Sequence, residues 1–166
     1  MVCYKVLTLF PNLINEYINS NAPLKRGIEK GIIKIKVINF REYSDDKHKK
    51  VDDEIYGDGA GMLLKCQPII DAVRGNSGPE TKIIITDPRG KVFNNKIAKE
   101  LSKEKEIMII CGRYEGFDER INMILKPERI SLGDFILTNG EIVALSIIDS
   151  SIRFIEGVLD SYESTF

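Results

Sequence analysis

The sequence predicts an α/β domain with a largely parallel sheet flanked by helices, and three observations carry that prediction. Ile107, Met108, Ile109 and Ile110 follow one another without polar alternation, as in a strand covered by helices on both faces. Further short apolar runs alternate along the chain with segments whose apolar residues recur every three or four positions. Several of the runs stop at a proline, a glycine or an Asn-Gly pair, and ligands of open α/β sheets bind just beyond the carboxyl ends of such strands.

Taken in order, residues 6–10 are a β-prone run ended by Pro11, after which Phe10, Leu13, Ile14, Tyr17 and Ile18 mark an amphipathic helix. Ile33, Ile35 and Val37 alternate with Lys34 and Lys36, the pattern of a strand with one wet face at the rim of the sheet. Residues 41–61 are charged and then glycine-rich, with no clear element. Loops that long inside a compact domain are usually functional or mobile. Pro68 near its start and Gly75 at its end delimit a short helix over 67–74. A second buried strand is expected over 82–86, ending in Asp87-Pro88-Arg89-Gly90. Phe93, Ile97 and Leu101 define the next helix, which leads to strand 107–110. A short helical segment follows Arg120, and a third apolar strand is expected over 134–137, broken at Thr138-Asn139-Gly140. The final helix, from 141 to about 156, is apolar around most of its circumference, which predicts burial against the sheet and against a second subunit. Loops 87–90, 112–118 and 138–141 are then expected to converge on one pocket.

The 166 residues fit one domain that buries roughly two-thirds of its unfolded surface. Hydrophobic content of 43% and charged content of 30% are those of an ordinary globular protein. A net charge of −1 and a pI near 6.0 do not announce a nucleic-acid binder, so any such role rests on a local patch or on other parts of the protein. Cys3, Cys66 and Cys111 are widely spaced and unaccompanied by histidine clusters, which argues against a disulfide framework and against a metal site. With no secretory leader and no run long enough to span a membrane, the expected location is the cytoplasm.

Single residues carry little chemistry by themselves. His48 and Lys47, Lys49 and Lys50 are flanked by Asp45, Asp46, Asp52 and Asp53, as in a mixed-charge surface loop. Glu115, Asp118, Glu119 and Arg120 suit the first turn of a helix. Asp149 and Arg153 have the spacing of an ordinary helical ion pair. No phosphate-cradling or dinucleotide fingerprint is present. Composition and spacing reach no further than an α/β domain with a small-molecule site at three loops.

The motifs in combination go further. Leu-Phe-Pro at 9–11, Val-Asp-Asp at 51–53, Tyr-Gly-x-Gly-x-Gly-Met at 56–62, Cys-Gly-Arg-Tyr-Glu-Gly-Phe-Asp-Glu-Arg at 111–120, Ser-Leu-Gly-Asp-Phe-Ile-Leu-Thr-Asn-Gly-Glu at 131–141 and Ile-Asp-Ser-Ser-Ile-Arg-Phe-Ile-x-Gly-Val-Leu at 148–159 resemble, in the same order, the bacterial tRNA (guanine-N1)-methyltransferases of the TrmD type, within the α/β-knot (SPOUT) class. The resemblance spans nearly the whole chain. It implies S-adenosylmethionine bound in loops threaded through a C-terminal deep trefoil knot, an exception to the usual avoidance of knots. It also implies a homodimer with active sites at the subunit interface and a tRNA substrate. By position, Thr86, Asp87, Pro88, Gly112, Tyr114, Glu115, Gly116, Leu132, Gly133, Phe135, Leu137 and Gly140 match the family's cofactor loops.

The implied reaction moves the sulfonium methyl group to N1 of guanosine 37. Guanine N1 carries a proton, so the reaction needs a base there and a donor for charge building on O6. Arg153 matches the family's donor, and Asp160, in Asp-Ser-Tyr, matches its base. Some positions depart from the pattern. Leu159 joins Asp160 directly where the family has several intervening residues, and Asp58, Asn139 and Val143 stand where glycine, glycine and proline are common. Residues 1–159 are expected to form the catalytic domain and 160–166 the start of a linker, with the family's helical tRNA-binding domain absent from this chain. The alternative reading is a non-catalytic module that keeps the S-adenosylmethionine site without methylating tRNA.

Overall fold

Five strands, all parallel, form the centre of the computed structural model, which describes residues 1–54, 61–113 and 115–160. The strands β1 (Val2–Thr8), β2 (Ile33–Asn39), β5 (Thr81–Val92), β6 (Glu106–Ile110) and β7 (Glu128–Ser131) lie in the order β2-β1-β6-β5-β7. β3 (Asp52–Glu54) and β4 (Met62–Leu64) make a separate antiparallel pair. The helices are α1 (Pro11–Ser20), α2 (Ala22–Glu29), α3 (Cys66–Asn76), α4 (Asn95–Leu101), α5 (Arg120–Leu125) and α6 (Glu141–Ile152).

The unbroken apolar run of β6 explains its place inside the sheet. Ile107 and Ile109 enter one core with Tyr4, Val6, Ile84 and the apolar faces of α1, α2, α4 and α6. Met108 and Ile110 point the other way, into a core with Leu7, Ile85, Ile69 and Val73 of α3, and Ile121 of α5. Alternate side chains of one strand thus serve opposite faces, and the sheet is the middle of three layers. β2, with its lysines, is an edge strand as expected.

Several expectations change. The first strand starts earlier and ends at Thr8, because Phe10 is already the residue that leads into α1. The strand expected over 134–137 is absent. Its place at the sheet edge is taken by β7, whose Ile130 and Ser131 pair with β5. Phe135 and Ile136 are 54% and 85% exposed, and of that run only Leu137 packs against the core. Residues 87–90 do not end a strand. They form an irregularity within β5, where the pairing with β7 shifts between Thr86 and Lys91, as a bulge does. The region 41–61 contains a 3-10 turn, Phe40–Tyr43, at its entrance and the β3–β4 pair within and beyond it. The Tyr-Gly-x-Gly-x-Gly motif falls mainly on 55–60, outside the described residues. Helix α6 stops at Ile152, short of residue 156. No helix among the described residues is long and apolar enough to cross a membrane.

Candidate functional site

Three segments meet at the irregularity within β5 and beyond the carboxyl ends of β6 and β7. Thr86, the last regular residue of β5 before its bulge, accepts a hydrogen bond from the Gly112 amide on its Oγ1 at 2.9 Å. Gly112 in turn accepts the Gly140 amide at 2.9 Å. Residues 132–140, which follow β7, are therefore drawn back against the segment that follows β6 and, through it, Thr86 of β5. β4 braces the outer side of the 112–118 loop: the Glu115 amide donates to the Met62 carbonyl at 3.1 Å, the Leu64 amide to Gly116 at 3.0 Å, and the Asp118 amide to Leu64 at 3.2 Å.

These segments enclose a cavity of about 800 Å³. Of the residues expected to hold the cofactor, Thr86, Asp87, Pro88, Gly112, Glu115, Gly116, Leu132, Phe135, Leu137 and Gly140 line it. Gly133 does not line it; a Cβ there would come 2.7 Å from the Phe135 ring. Tyr114 lies outside the described residues. The cavity floor is apolar, with Ile130 and Val143, and its rim is charged, with Arg89, Glu119 and Arg120. Volumes of this size accommodate nucleoside-sized ligands.

The two residues matched to proton removal and charge stabilisation are elsewhere. Helix α6 starts at the cavity and runs back along the sheet, where Ser151 Oγ shares a 2.7 Å hydrogen bond with the hydroxyl of Tyr4, near the start of β1. Arg153 follows this helix and is exposed. Asp160 is ion-paired to Arg26 of α2 at 3.3 Å, near Gly157, whose carbonyl accepts from Lys30 Nζ at 3.0 Å. Neither lines the cavity of its own chain. Asp149 accepts hydrogen bonds from the Tyr17 hydroxyl at 2.7 Å and Asn21 Nδ2 at 2.9 Å. Burial first, then the Asp149 carboxylate, pushes the Tyr17 hydroxyl up to about 12.

Sequence reasoning passed over a buried polar group beside the cavity. Glu141, wholly buried, accepts from Thr8 Oγ1 at 2.7 Å, and its other oxygen lies 3.3 Å from Arg113 Nε. The Arg113 guanidinium stacks 3.6 Å above the Phe10 ring, a favourable cation–π arrangement. The signal was present: an arginine between Gly112 and Glu115, and an acid opening a helix whose first turns are otherwise apolar. Cys111, just before Gly112, is buried, and its thiol is pushed well above the ordinary range by burial and by Glu141, with Arg113 opposing. It is packed as an inert thiol. Among the described residues, no group of three or more His, Cys, Asp or Glu is placed to hold a metal ion.

Asp87 is 7% exposed and remains readily ionised. Burial opposes its charge, but the side-chain and backbone hydrogen bonds of Arg89, with Arg129 beside it, outweigh burial and hold the carboxyl below its usual range.

Comparison with known proteins places this arrangement. The profile of the family described as tRNA (Guanine-1)-methyltransferase TrmD matches residues 2–166. A relative from Clostridium novyi named tRNA (guanine-N(1)-)-methyltransferase is 50% identical over 163 residues, covering 96% of this chain and 65% of its own length. One of the same name from Caldicellulosiruptor saccharolyticus is 48% identical over 158 residues, covering 95% of this chain and 64% of its own. The crystal structure of tRNA (m1G37) methyltransferase from Aquifex aeolicus superposes with a TM-score of 0.85 at 44% identity, covering 96% of this chain and 72% of that one. The chain thus spans slightly less than two-thirds of the length of these curated relatives.

Proposed function

The chain belongs to the tRNA (guanine-1)-methyltransferase family, and from that membership we propose that it transfers the methyl group of S-adenosylmethionine to N1 of guanosine 37 in tRNA. The observation that carries the proposal is the convergence of ten of the twelve family-matched cofactor positions on one cavity, inside a fold shared with the Aquifex aeolicus enzyme.

The cavity residues fit the cofactor. Gly112 and Gly140 let the cavity's segments pack closely against one another: a Cβ on Gly112 would meet the Phe117 ring at 2.9 Å and the Thr86 carbonyl at 3.0 Å. Leu132, Leu137 and Val143 offer an apolar bed, while Thr86, Asp87 and Glu115 bring polar groups to the wall. When bound, S-adenosylmethionine supplies an electrophilic methyl group. Asp160 takes the N1 proton of guanine and Arg153 donates to O6, so that negative charge is stabilised as N1 becomes nucleophilic.

Arg153 and Asp160 lie away from the cavity of their own chain, which supports a homodimer whose active sites combine the cavity of one subunit with the α6 terminus of the other. The exposed side chains of Phe135, Ile136 and Ile142 supply apolar surface for such an interface. The return of residues 132–140 against Thr86 and Gly112 supports the trefoil knot, with 1–159 as the catalytic domain. Incubating the full-length protein with S-adenosylmethionine and a tRNA bearing guanosine 37 is expected to yield N1-methylguanosine at that position; its absence overturns the proposal.

A further inference from the structure

The rim of the cavity carries the same turn twice. In Asp87-Pro88-Arg89, Asp87 Oδ1 accepts the Arg89 amide at 2.8 Å and Arg89 Nε at 3.2 Å, while Oδ2 accepts Nη2 at 3.2 Å. In Asp118-Glu119-Arg120, Asp118 Oδ1 accepts the Arg120 amide at 2.9 Å and Nε at 3.0 Å, while Oδ2 accepts Nη2 at 2.6 Å. Each aspartate therefore closes a two-residue turn and grips the following arginine side-on, the geometry that makes such pairs directional. The turns belong to different walls, one to the β5 bulge and the other to the loop after β6.

They are also tied together. Arg89 Nη2 reaches Glu119 Oε1 at 3.2 Å, and Glu119 is held from behind by Asn122 Nδ2 at 2.9 Å. Asp87 is anchored further by Arg129 Nε of β7 at 3.2 Å. An alternating chain, Glu119–Arg89–Asp87–Arg129, thus spans three segments that line or support the cavity. Its inner member, Asp87, is 7% exposed, whereas the side chains that meet across the rim, Arg89 and Glu119, are 65% and 62% exposed.

We propose that the paired Asp-x-Arg turns form an ionic clasp at the cavity mouth, with Arg89 and Glu119 as positioning residues that slow the release of S-adenosylmethionine. The inference rests on the function proposed above. Opening the mouth separates the two walls and breaks the exposed link first, so the link adds to the barrier for exit. Exposed pairs contribute little, which sets the expected effect at about a two- to fivefold faster release when the link is removed. Salt screens such a pair, so the effect is largest at low ionic strength.

The test measures S-adenosylmethionine affinity and dissociation rate by stopped flow and calorimetry for the unsubstituted protein, Arg89→Gln, Glu119→Gln and the double variant, at low and high salt. Both changes keep the local turns, since the Arg89 amide still reaches Asp87 and a glutamine at 119 still accepts from Asn122. Each single variant is expected to release the cofactor about two to five times faster at low salt, with the thermal midpoint unchanged in Glu119→Gln and lowered in Arg89→Gln, which also loses its side-chain bonds to Asp87. The double variant is expected to be no faster than either single one, and high salt to erase the difference. Release at the unsubstituted rate in both single variants, or additive effects in the double variant, overturns the clasp while leaving the function standing. Failure of the unsubstituted protein to bind S-adenosylmethionine at all overturns both.

Discussion

Gly140 donates its amide to the Gly112 carbonyl at 2.9 Å, and the two backbones lie so close that a Cβ on Gly140 would run into Thr86 Oγ1 and come 2.5 Å from the Gly112 nitrogen. The Gly140 dihedrals, φ −80 and ψ −12, are open to any residue, so the requirement for glycine here is one of space alone. Gly140→Ala is expected to push the 132–140 segment away from Thr86 of β5 and from Gly112, which follows β6. Overpacking of this kind costs about 1–3 kcal/mol, and S-adenosylmethionine affinity measured by calorimetry should fall at least about tenfold with it.

Arg113 faces the wholly buried Glu141 across 3.3 Å. Removing one partner of a buried pair leaves the other charge uncompensated, at a cost of about 3 kcal/mol. Arg113→Ala should therefore lower the urea midpoint markedly at neutral pH, while adding Glu141→Gln to it should recover much of the loss. A double variant no more stable than the single one would mean that the cation–π stack on Phe10, not the charge, is what matters.

Asp87 makes stability depend on acid in a defined direction. Its folded carboxyl binds a proton less readily than the unfolded one, so below the unfolded value near 3.9 the unfolded chain takes up more protons. The stability it contributes is whole above about pH 4 and is lost as pH falls through the folded value. Asp87→Asn should flatten that part of the acid-denaturation curve, and in the unsubstituted protein the Asp87 carboxyl resonance should titrate below about 3.9.

A shared active site can be tested by mixing inactive subunits. If Arg153 of one chain serves the cavity of the other, a hybrid of Arg153→Ala and Gly140→Ala subunits contains one site free of both changes. Random re-pairing of a 1:1 mixture should then restore about a quarter of the unsubstituted activity. Were Arg153 to serve its own cavity, both sites of every hybrid would be damaged and no activity would return.

What could be read in advance followed from periodicity. The central strand β6 and the helices α1, α4 and α6 have apolar patterns that one environment explains, and their approximate places were legible. Helix α2 was not; in the structure Gly27 within it is buried where a Cβ would lie 2.5 Å from the Ile33 side chain, so the glycine is there for close packing. β7 was missed because Glu-Arg-Ile-Ser carries a single deep apolar residue, its pairing being supplied by β5. Phe135, Ile136 and Leu137 were misread because apolar residues that line a cavity look in sequence like those that fill a core. Most of the positions that line the cavity were legible from whole motifs, whereas the Glu141–Arg113 pair and the clasp depend on which loops meet, a matter of topology.

The pairing of β1 with β6 joins Cys3 to Glu106 and Leu7 to Ile110, about a hundred residues apart in sequence. The innermost seam of the sheet therefore cannot close until residue 110 has been made, and β1 leaves the ribosome paired at most with β2, its other edge bare. Contacts of such separation slow folding, and an uncovered strand edge is a route to aggregation while the chain waits. During synthesis the protein's vulnerability lies in that interval, and α1 and α2, which reach β1 and β2 from nearby sequence, are the elements able to shelter the nascent pair until β6 arrives.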